Sequence, residues 1–135
     1  MSWTNRFVGI PWKDKGRDRD GVDCWGLFRL VYKEHLDIDL PSYLESYVDP
    51  KDTAELGPLI TDEVAADWLR INVPRAGDGM LFNVKGEPAH TAVYVRDDLM
   101  LHVRRGAGSC VERYDSPIWK PRFMGYYCHP GRARD

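Results

Sequence analysis

One cysteine of this chain stands where a helix is expected to begin. From Cys24 onward, apolar residues recur at the i, i+3, i+4, i+7 spacing of a single helix face (Leu27, Phe28 and Val31 follow it). Asp23 precedes them at the position of an N-cap, whose side chain accepts a hydrogen bond from a first-turn amide. A thiol there faces the positive end of the helix dipole, which favours the thiolate. The pattern indicates a nucleophile, although a core cysteine behind an ordinary N-cap fits it equally well.

A thiolate nucleophile needs a base within hydrogen-bond reach and a third group that holds this base. Of the four histidines, His35 falls in the last turn of the predicted central helix, and His129 lies near the end of the chain. His90 and His102 both fall in strand-like segments. We therefore expect His90 as the base and His102 as its orienting partner. Taken singly, each is more simply explained as a half-buried polar residue of a sheet.

The hairpin between these two strands decides whether the imidazoles can meet. A two-residue turn at positions 97–98 would leave His90 and His102 on opposite faces of the sheet. A three-residue turn centred on Arg96 would place them directly opposite each other. A catalytic pair thus requires an odd-numbered loop or a β-bulge near the turn. The sequence leaves this register open.

The elements that must position these residues form two halves. We predict a short helix at 2–7, a central helix at 23–35, an irregular covering segment at 41–50 and a helix at 60–69. After Pro74 the apolar period changes from helical to alternating, which predicts five strands, at 80–84, 91–95, 100–103, 110–114 and 123–127. Helices followed by hairpin-linked strands indicate the α+β class. We expect one domain over residues 1–130 and a solvated tail at 131–135.

The composition excludes several classes of function. The chain has 135 residues, 43% hydrophobic and 30% charged, which is typical of one globular domain. Its net charge of −2 argues against nucleic-acid binding, and no apolar run reaches the roughly 18 residues of a membrane span. Three cysteines without C-x-x-C spacing do not indicate a disulfide framework. The first residues lack the features of a signal peptide, so we expect folding in a cytoplasm.

Several segments resemble, in order, motifs of the NlpC-type cell-wall peptidases, a papain-like cysteine peptidase family. Asp-Cys-Trp-Gly-Leu at residues 23–27 is similar to the Asp-Cys-Ser-Gly-Leu nucleophile motif of that family. The other matches are Gly-Ile-Pro-Trp at 9–12, Ala-Gly-Asp-Gly-Met-Leu-Phe at 76–82, His-Thr-Ala-Val-Tyr-Val at 90–95 and Met-Leu-His at 100–102. The resemblance covers about residues 3–127, and so many motifs in family order are specific.

The resemblance implies a papain-like NlpC-type domain, in which N-terminal helices pack on a five- to six-stranded antiparallel sheet. It implies a Cys-His-His triad of Cys24 as nucleophile, His90 as general base and acid, and His102 as the residue that orients His90. It also implies that the backbone amide of Cys24 forms part of an oxyanion hole. No cofactor is expected.

The resemblance also implies a substrate side formed by Trp12, Asp23 and Trp25. Asp23 falls where some members contact the free amine of the stem peptide, while Trp25 replaces a serine that helps to bind this amine. Trp12 replaces a tyrosine, and its indole N–H could substitute for the phenolic hydroxyl. The charged run at 13–20 is expected to be a solvated loop, or alternatively a lip whose Arg17 or Arg19 meets a charged substrate.

Within that family, the charged approach at 16–27 and Pro-Ser-Tyr at 41–43 look most like short peptidases of phage tails and gene transfer agents. The resemblance implies cleavage of an amide in the peptidoglycan stem peptide, at the γ-D-glutamyl–diamino acid bond, with tail-tip or hub proteins as partners. One alternative is a structural tail component that keeps the fold without using the site. A second is a zinc site of Cys24, His90 and His102, a ligand set suited to that metal.

Overall fold

The computed structural model describes residues 3–40, 68–84 and 87–132. Within them, one α-helix packs on a six-stranded antiparallel sheet, which confirms the α+β class. In chain order the elements are a 3-10 helix at Trp3–Phe7, β1 (Arg17–Asp18), β2 (Gly21–Val22), α1 (Cys24–His35), β3 (Leu69–Ile71), β4 (Gly79–Val84), β5 (Glu87–Arg96), β6 (Leu99–His102), β7 (Cys110–Arg113), a 3-10 helix at Lys120–Arg122 and β8 (Phe123–Cys128). The sheet order is β3-β8-β4-β5-β6-β7, and β1 and β2 form a separate hairpin. Within the described ranges, no helix has both the length and the apolar character needed to cross a bilayer.

The capping residues Asp23 and Leu36 set the two ends of α1. The backbone of Asp23 is extended, and its side chain accepts a hydrogen bond from the Gly26 amide at 2.7 Å, so the helix begins at Cys24. At the other end, the Leu36 amide donates to the Tyr32 carbonyl and closes the last turn. The predicted central helix at 23–35 is confirmed to within one residue.

Apolar side chains of the strands divide between the two faces of the sheet. Because neighbouring strand residues point to opposite faces, Leu81, Val93 and Leu101 pack against α1, whereas Met80 and Phe82 pack on the outer face. The outer cluster also contains Ala92, Met100, Tyr114 and Trp119. The sheet is therefore covered on both faces.

The hairpin between β5 and β6 contains the irregularity on which the predicted pairing of His90 with His102 depends. A two-residue turn pairs Arg96 with Leu99, and a β-bulge follows between Tyr94 and Arg96. The bulge adds one residue to β5 alone and so reverses the faces that the turn by itself would give. His90 consequently lies on the same face as His102. The structure therefore has a β-bulge near this turn, which is one of the two geometries that the sequence left open.

Three sequence predictions meet a different outcome or fall beyond the described residues. The covering segment at 41–50 lies outside the described residues, as does most of the helix predicted at 60–69. Leu69, its last residue, begins the strand β3, so the helix prediction is wrong there: β8 supplies backbone partners that a local pattern cannot reveal. The charged loop at 13–20 contains the strand β1, which pairs with β2.

Arg132 belongs to the folded domain, although the sequence predicted a solvated tail from residue 131. Its guanidinium pairs with the carboxylate of Asp78, which is fully buried, and donates to the Ala76 carbonyl at 2.8 Å. Asp78 also accepts a hydrogen bond from the Arg75 amide. Arg132 thus forms an ion pair with a buried carboxylate. The solvated-tail prediction is wrong for this residue. Residues 133–135 lie outside the described part.

Candidate active site

Cys24 is the first residue of α1, and it contacts Thr91 of β5. The Thr91 hydroxyl donates a hydrogen bond to the Cys24 carbonyl oxygen at 3.3 Å. Polar interactions of the Thr91 backbone and side chain also lower the pKa of the Cys24 thiol, because they favour its charged form. Thr91 directly follows His90 in the chain. The fold thus brings the cysteine of the helix to the strand residue that adjoins the predicted base.

Desolvation dominates the chemistry of the resting thiol. Cys24 is 7% exposed, and burial raises its pKa to about 11, with a further rise from the neighbouring Asp23 carboxylate. Thr91 and Arg17 lower this pKa and offset only part of the rise. The sequence-based expectation that the helix start favours the thiolate is therefore outweighed by burial. At neutral pH the thiol carries its proton, so a nucleophilic role requires a base.

His90 and His102 form a directly hydrogen-bonded imidazole pair. His90 Nε2 and His102 Nδ1 are 3.0 Å apart, and the rings meet edge to face. Burial lowers the pKa of His90 to about 3, with a further contribution from His102. Burial also lowers the pKa of His102, although Glu112 partly offsets this. Both rings are consequently neutral at neutral pH, and His90 keeps Nδ1 as the ring nitrogen able to accept a proton.

Trp119 and Glu112 also contact the pair, and no sequence pattern pointed to either residue as part of the site. The indole of Trp119 stacks on His90 at 5.0 Å and meets the His102 ring edge-on at 5.1 Å. Glu112 accepts a hydrogen bond from His102 Nε2 at 2.6 Å. Trp119 lies in a loop before a 3-10 helix, so no spacing pointed to it. Alternation in β7 places Glu112 on one face with Cys110, but only the β6–β7 register could show which partner it meets.

Asp23, which the resemblance placed on the substrate side, is 3% exposed and engaged within the fold. Its Oδ1 accepts from the Gly26 amide and forms an ion pair with Arg17 Nη1, both at 2.7 Å. Gly26 has no space for a side chain, since a Cβ there would overlap the carbonyl oxygen of Gly16. The glycine of the nucleophile motif therefore permits the loop of residues 16–17 to cross the first turn of α1.

The two tryptophans of the predicted substrate side occupy different environments. Trp25 is 2% exposed and stacks on Phe28 at a ring distance of 5.2 Å, so it lies in the core. Trp12 is half-buried, its ring is covered by the Arg105 guanidinium at 5.6 Å, and it borders a surface depression with residues 106–108. Only Trp12 of this pair borders an open surface in the described structure.

Arg17 and Arg19, the residues of the alternative charged lip, are both engaged in ion pairs within the chain. Arg17 pairs with Asp23, and Arg19 Nη2 lies 2.5 Å from Glu34 Oε1. Arg19 also donates to the carbonyl oxygen of Arg6 at 2.6 Å. Their contacts hold the run at 13–20 to α1, and the Arg17 side chain is only 10% exposed, so the solvated-loop interpretation does not apply to Arg17.

The residues proposed as zinc ligands do not come together as such a set. Among the described residues, the metal-binding donors that lie within 4.8 Å of one another belong to His102, Cys110 and Glu112, not to Cys24 and His90. His102 Nε2 and Glu112 Oε1 are 2.6 Å apart. Two ligands of a tetrahedral zinc ion are separated by about 3.3 Å, so this spacing is that of a hydrogen bond. The geometry therefore favours a polar relay over a metal centre.

Comparison with known proteins identifies relatives over most of the chain. A family model described as the NlpC/P60 family matches residues 9–127. Curated relatives from Escherichia coli strains K12 and O157:H7, named murein DD-endopeptidase MepS/murein LD-carboxypeptidase, are each 24% identical over 117 residues. The matched region covers 87% of this chain and 54% of each relative, so the chain spans about half the length of these proteins.

Solved structures agree on the fold. An NLP/P60-family protein similar to lipoprotein, from Staphylococcus aureus Mu50, superposes with a TM-score of 0.68 at 19% identity, over 93% of this chain and 38% of that one. The NlpC/p60 domain of the peptidoglycan hydrolase SagA gives a TM-score of 0.62 at 18% identity, over 93% and 91%. An NlpC/P60 family protein from Bacillus cereus gives 0.68 at 23% identity, over 90% and 36%.

These structures share the papain-like arrangement of a helix packed on an antiparallel sheet. The matched region of the family model includes Cys24, His90 and His102. Since the model also covers far more than half of the chain, this protein belongs to the NlpC/P60 family, whose peptidoglycan hydrolases are cysteine peptidases.

Proposed function

We propose that this protein is a cysteine endopeptidase that hydrolyses an amide bond in the peptidoglycan stem peptide. The observation that carries the proposal is the meeting of Cys24, at the start of α1, with Thr91, whose preceding residue His90 is hydrogen-bonded to His102. This arrangement supplies a nucleophile, a base and an orienting group from three different elements. The curated relatives are named for endopeptidase action on murein, which supports the substrate class.

In the resting state the Cys24 thiol is protonated and His90 is neutral, and this sets the order of the proton transfers. Cys24 passes its thiol proton to His90 Nδ1 as its sulfur attacks the carbonyl carbon. The backbone amide of Cys24, at the first helical position, helps to stabilise the oxyanion of the tetrahedral intermediate. His90 then gives the proton to the leaving amine, and the C–N bond breaks to leave a thioester. Water, deprotonated by His90, hydrolyses this thioester and restores the thiol.

We propose the γ-D-glutamyl–diamino acid amide as the bond cleaved. This choice rests on the resemblance of residues 23–27 and 90–95 to the NlpC-type motifs. The name of the curated relatives instead specifies DD-endopeptidase activity, which would act on a bond between two D-centres. Mass analysis of muropeptides distinguishes the two, because cleavage after D-glutamate shortens every stem, whereas DD-cleavage converts cross-linked dimers into monomers.

Digestion of purified sacculi tests the proposal. The wild type should release new amines and shortened muropeptides, while Cys24→Ala and His90→Ala should lose activity by at least about 1000-fold. Cys128→Ala serves as the matched control, because Cys128 is a buried cysteine on β8 and is not placed at the helix start. Undiminished cleavage by Cys24→Ala would refute the mechanism. Equal loss in Cys128→Ala would show that the assay reports general damage to the fold.

A catalytically silent structural component is the second candidate, and the burial of Cys24 favours it. A thiol that is 7% exposed and carries a pKa raised to about 11 is a poor nucleophile without substrate-driven access. A small thiol-reactive probe decides between the two at neutral pH. An active site should be labelled at Cys24 faster than at Cys110 or Cys128, whereas a silent component should leave the buried Cys24 slower than the half-buried Cys110.

The proposal extends to the place of action: a phage-like tail tip, reached after synthesis in the bacterial cytoplasm. It rests on the resemblance of the charged approach at 16–27 to short tail-associated peptidases. Hub or tail-tip proteins would then be its partners, and its role would be to aid penetration of the cell wall. Particles carrying Cys24→Ala should adsorb normally but deliver their contents poorly. Absence of the chain from purified particles would refute the location and leave the peptidase proposal standing.

A further inference from the structure

Glu112 reaches the imidazole pair from the side opposite His90. Glu112 lies on β7, two residues after Cys110. Cys110 in turn pairs with His102 of β6. Glu112 Oε1 accepts from His102 Nε2 at 2.6 Å, and His102 Nδ1 in turn faces His90 Nε2 at 3.0 Å. The side chain of His102 is fully buried, while that of Glu112 is 31% exposed. The three side chains therefore form a continuous chain of hydrogen bonds from the protein surface to His90.

We propose that Glu112 is a positioning residue that fixes the tautomers of both histidines, so that His90 presents an unprotonated Nδ1 to the Cys24 thiol. The inference rests on the proposed peptidase function and adds a fourth residue to its Cys-His-His set. It follows from the direction in which each hydrogen bond must run.

An ionised carboxylate only accepts hydrogen bonds, so the proton between Glu112 and His102 belongs to Nε2 of the histidine. A neutral His102 with a proton on Nε2 has a bare Nδ1, which must be the acceptor of the next bond. The proton between the two rings then belongs to His90 Nε2. A neutral His90 with a proton there has a bare Nδ1, which is the state that a base for Cys24 requires.

The reverse order of tautomers would disable the base. If His102 carried its proton on Nδ1, it would donate to His90 Nε2, and the neutral His90 would hold its own proton on Nδ1. That nitrogen could then not accept the thiol proton. The His90–His102 pair by itself permits both orders, since each ring can either donate or accept. Glu112 is the contact that breaks this symmetry, and its charge also stabilises the imidazolium formed at His90 during attack.

The hydrogen-bond direction can be read in the resting protein by long-range ¹H–¹⁵N NMR of the ring nitrogens, without any substrate. In the wild type, both histidines should show a protonated Nε2 and a bare Nδ1. Observation of a protonated Nδ1 on His102 would overturn the proposal. In Glu112→Ala, the spectra of both rings should change toward the other tautomer or toward a mixture. Unchanged tautomers in a folded Glu112→Ala protein would equally overturn it.

Kinetics on sacculi or a soluble stem peptide provide the second arm. Glu112→Ala should lower kcat by about 10- to 100-fold with KM changed less than about 3-fold, because Glu112 acts through His102. Glu112→Gln can either accept from or donate to His102 Nε2 and carries no charge, so it should recover only part of this loss. Asp115→Asn is the matched control, since Asp115 pairs with Arg113 at the end of β7 and should leave kcat unchanged.

The two proposals fail in different ways. If the wild type and Cys24→Ala are equally inactive while the tautomers are as expected, the peptidase function fails and the relay stands. If the wild type cleaves in a Cys24-dependent manner but Glu112→Ala retains full kcat, the relay fails and the function stands.

Discussion

Replacement of Asp23 by asparagine separates a structural role of this residue from a role in substrate binding. The resemblance to NlpC-type peptidases assigns Asp23 to the free amine of the stem peptide. In the structure its Oδ1 instead binds Arg17 Nη1 and the Gly26 amide, both at 2.7 Å. Asparagine keeps an oxygen that can cap the helix but removes the charge that faces Arg17.

The expected loss of stability follows from the burial of the ion pair. The side chains of Arg17 and Asp23 are 10% and 4% exposed. Removal of one partner from a buried pair costs about 3–5 kcal/mol, and Coulomb attraction at about 4 Å in an effective dielectric of about 20 gives a similar value of about 4 kcal/mol. The Gly16 carbonyl still accepts from Arg17 at 2.8 Å, so we expect about 3 kcal/mol for Asp23→Asn. Asp23→Ala should cost about 1 kcal/mol more through loss of the cap.

Urea unfolding of Asp23→Asn, Arg17→Gln and the double variant measures this pair directly. The double-mutant cycle should return a coupling free energy of about 2 kcal/mol or more. The pH dependence of Cys24 alkylation supplies an independent reading. Asp23 raises and Arg17 lowers the pKa of this thiol, so Asp23→Asn should shift it down and Arg17→Gln up.

A coupling energy near zero, with both single variants costing under about 0.5 kcal/mol, would refute this account of the ion pair. A raised KM for substrates with a free amine in a fully stable Asp23→Asn protein would restore the substrate-binding role. These outcomes do not overlap, because stability and KM are measured on the same variant.

Three further predictions concern neighbouring parts of the fold. Gly26→Ala should destabilise by about 2–3 kcal/mol in thermal unfolding instead of gaining helix propensity, because its Cβ overlaps a carbonyl of the crossing loop. Burial lowers the pKa of His90 from 6.5 to about 3, so stability should hold above pH 6.5 and fall below it, by about 2 kcal/mol at pH 5; urea unfolding of His90→Gln should lack this loss. Arg132→Ala should cost about 3–5 kcal/mol in urea unfolding by leaving the buried Asp78 unpaired, whereas the exposed Arg96→Ala should change stability by under about 0.5 kcal/mol.

The sequence was most informative where the signal is local. The N-cap and apolar spacing around Cys24 predicted α1 to within one residue, because capping and amphipathic periodicity act over a few positions. The strands of the second half were predicted by alternation and turn residues, and β4 to β8 fall where expected. The strand at Leu69 was missed because its stability comes from pairing with β8, which lies far along the chain.

The site was harder to predict because it depends on register and burial. The turn at 97–98 alone would have placed His90 and His102 on opposite faces of the sheet. No residue type predicts the β-bulge that places them on the same face. Glu112 and Trp119 meet the histidines only through tertiary packing. The helix dipole marks Cys24 as a candidate nucleophile, but the degree of its desolvation could not be read from spacing.

The most direct test of the central claim is the mass of the intact protein during turnover. After a brief reaction with a stem-peptide substrate and acid quench, the wild type should carry an acyl group on Cys24, with a mass equal to the fragment on the carbonyl side of the cleaved bond. The adduct should disappear when Cys24 is replaced by alanine. Cleavage that continues without any adduct, or an adduct located on Cys110 or Cys128, would contradict the proposed nucleophile.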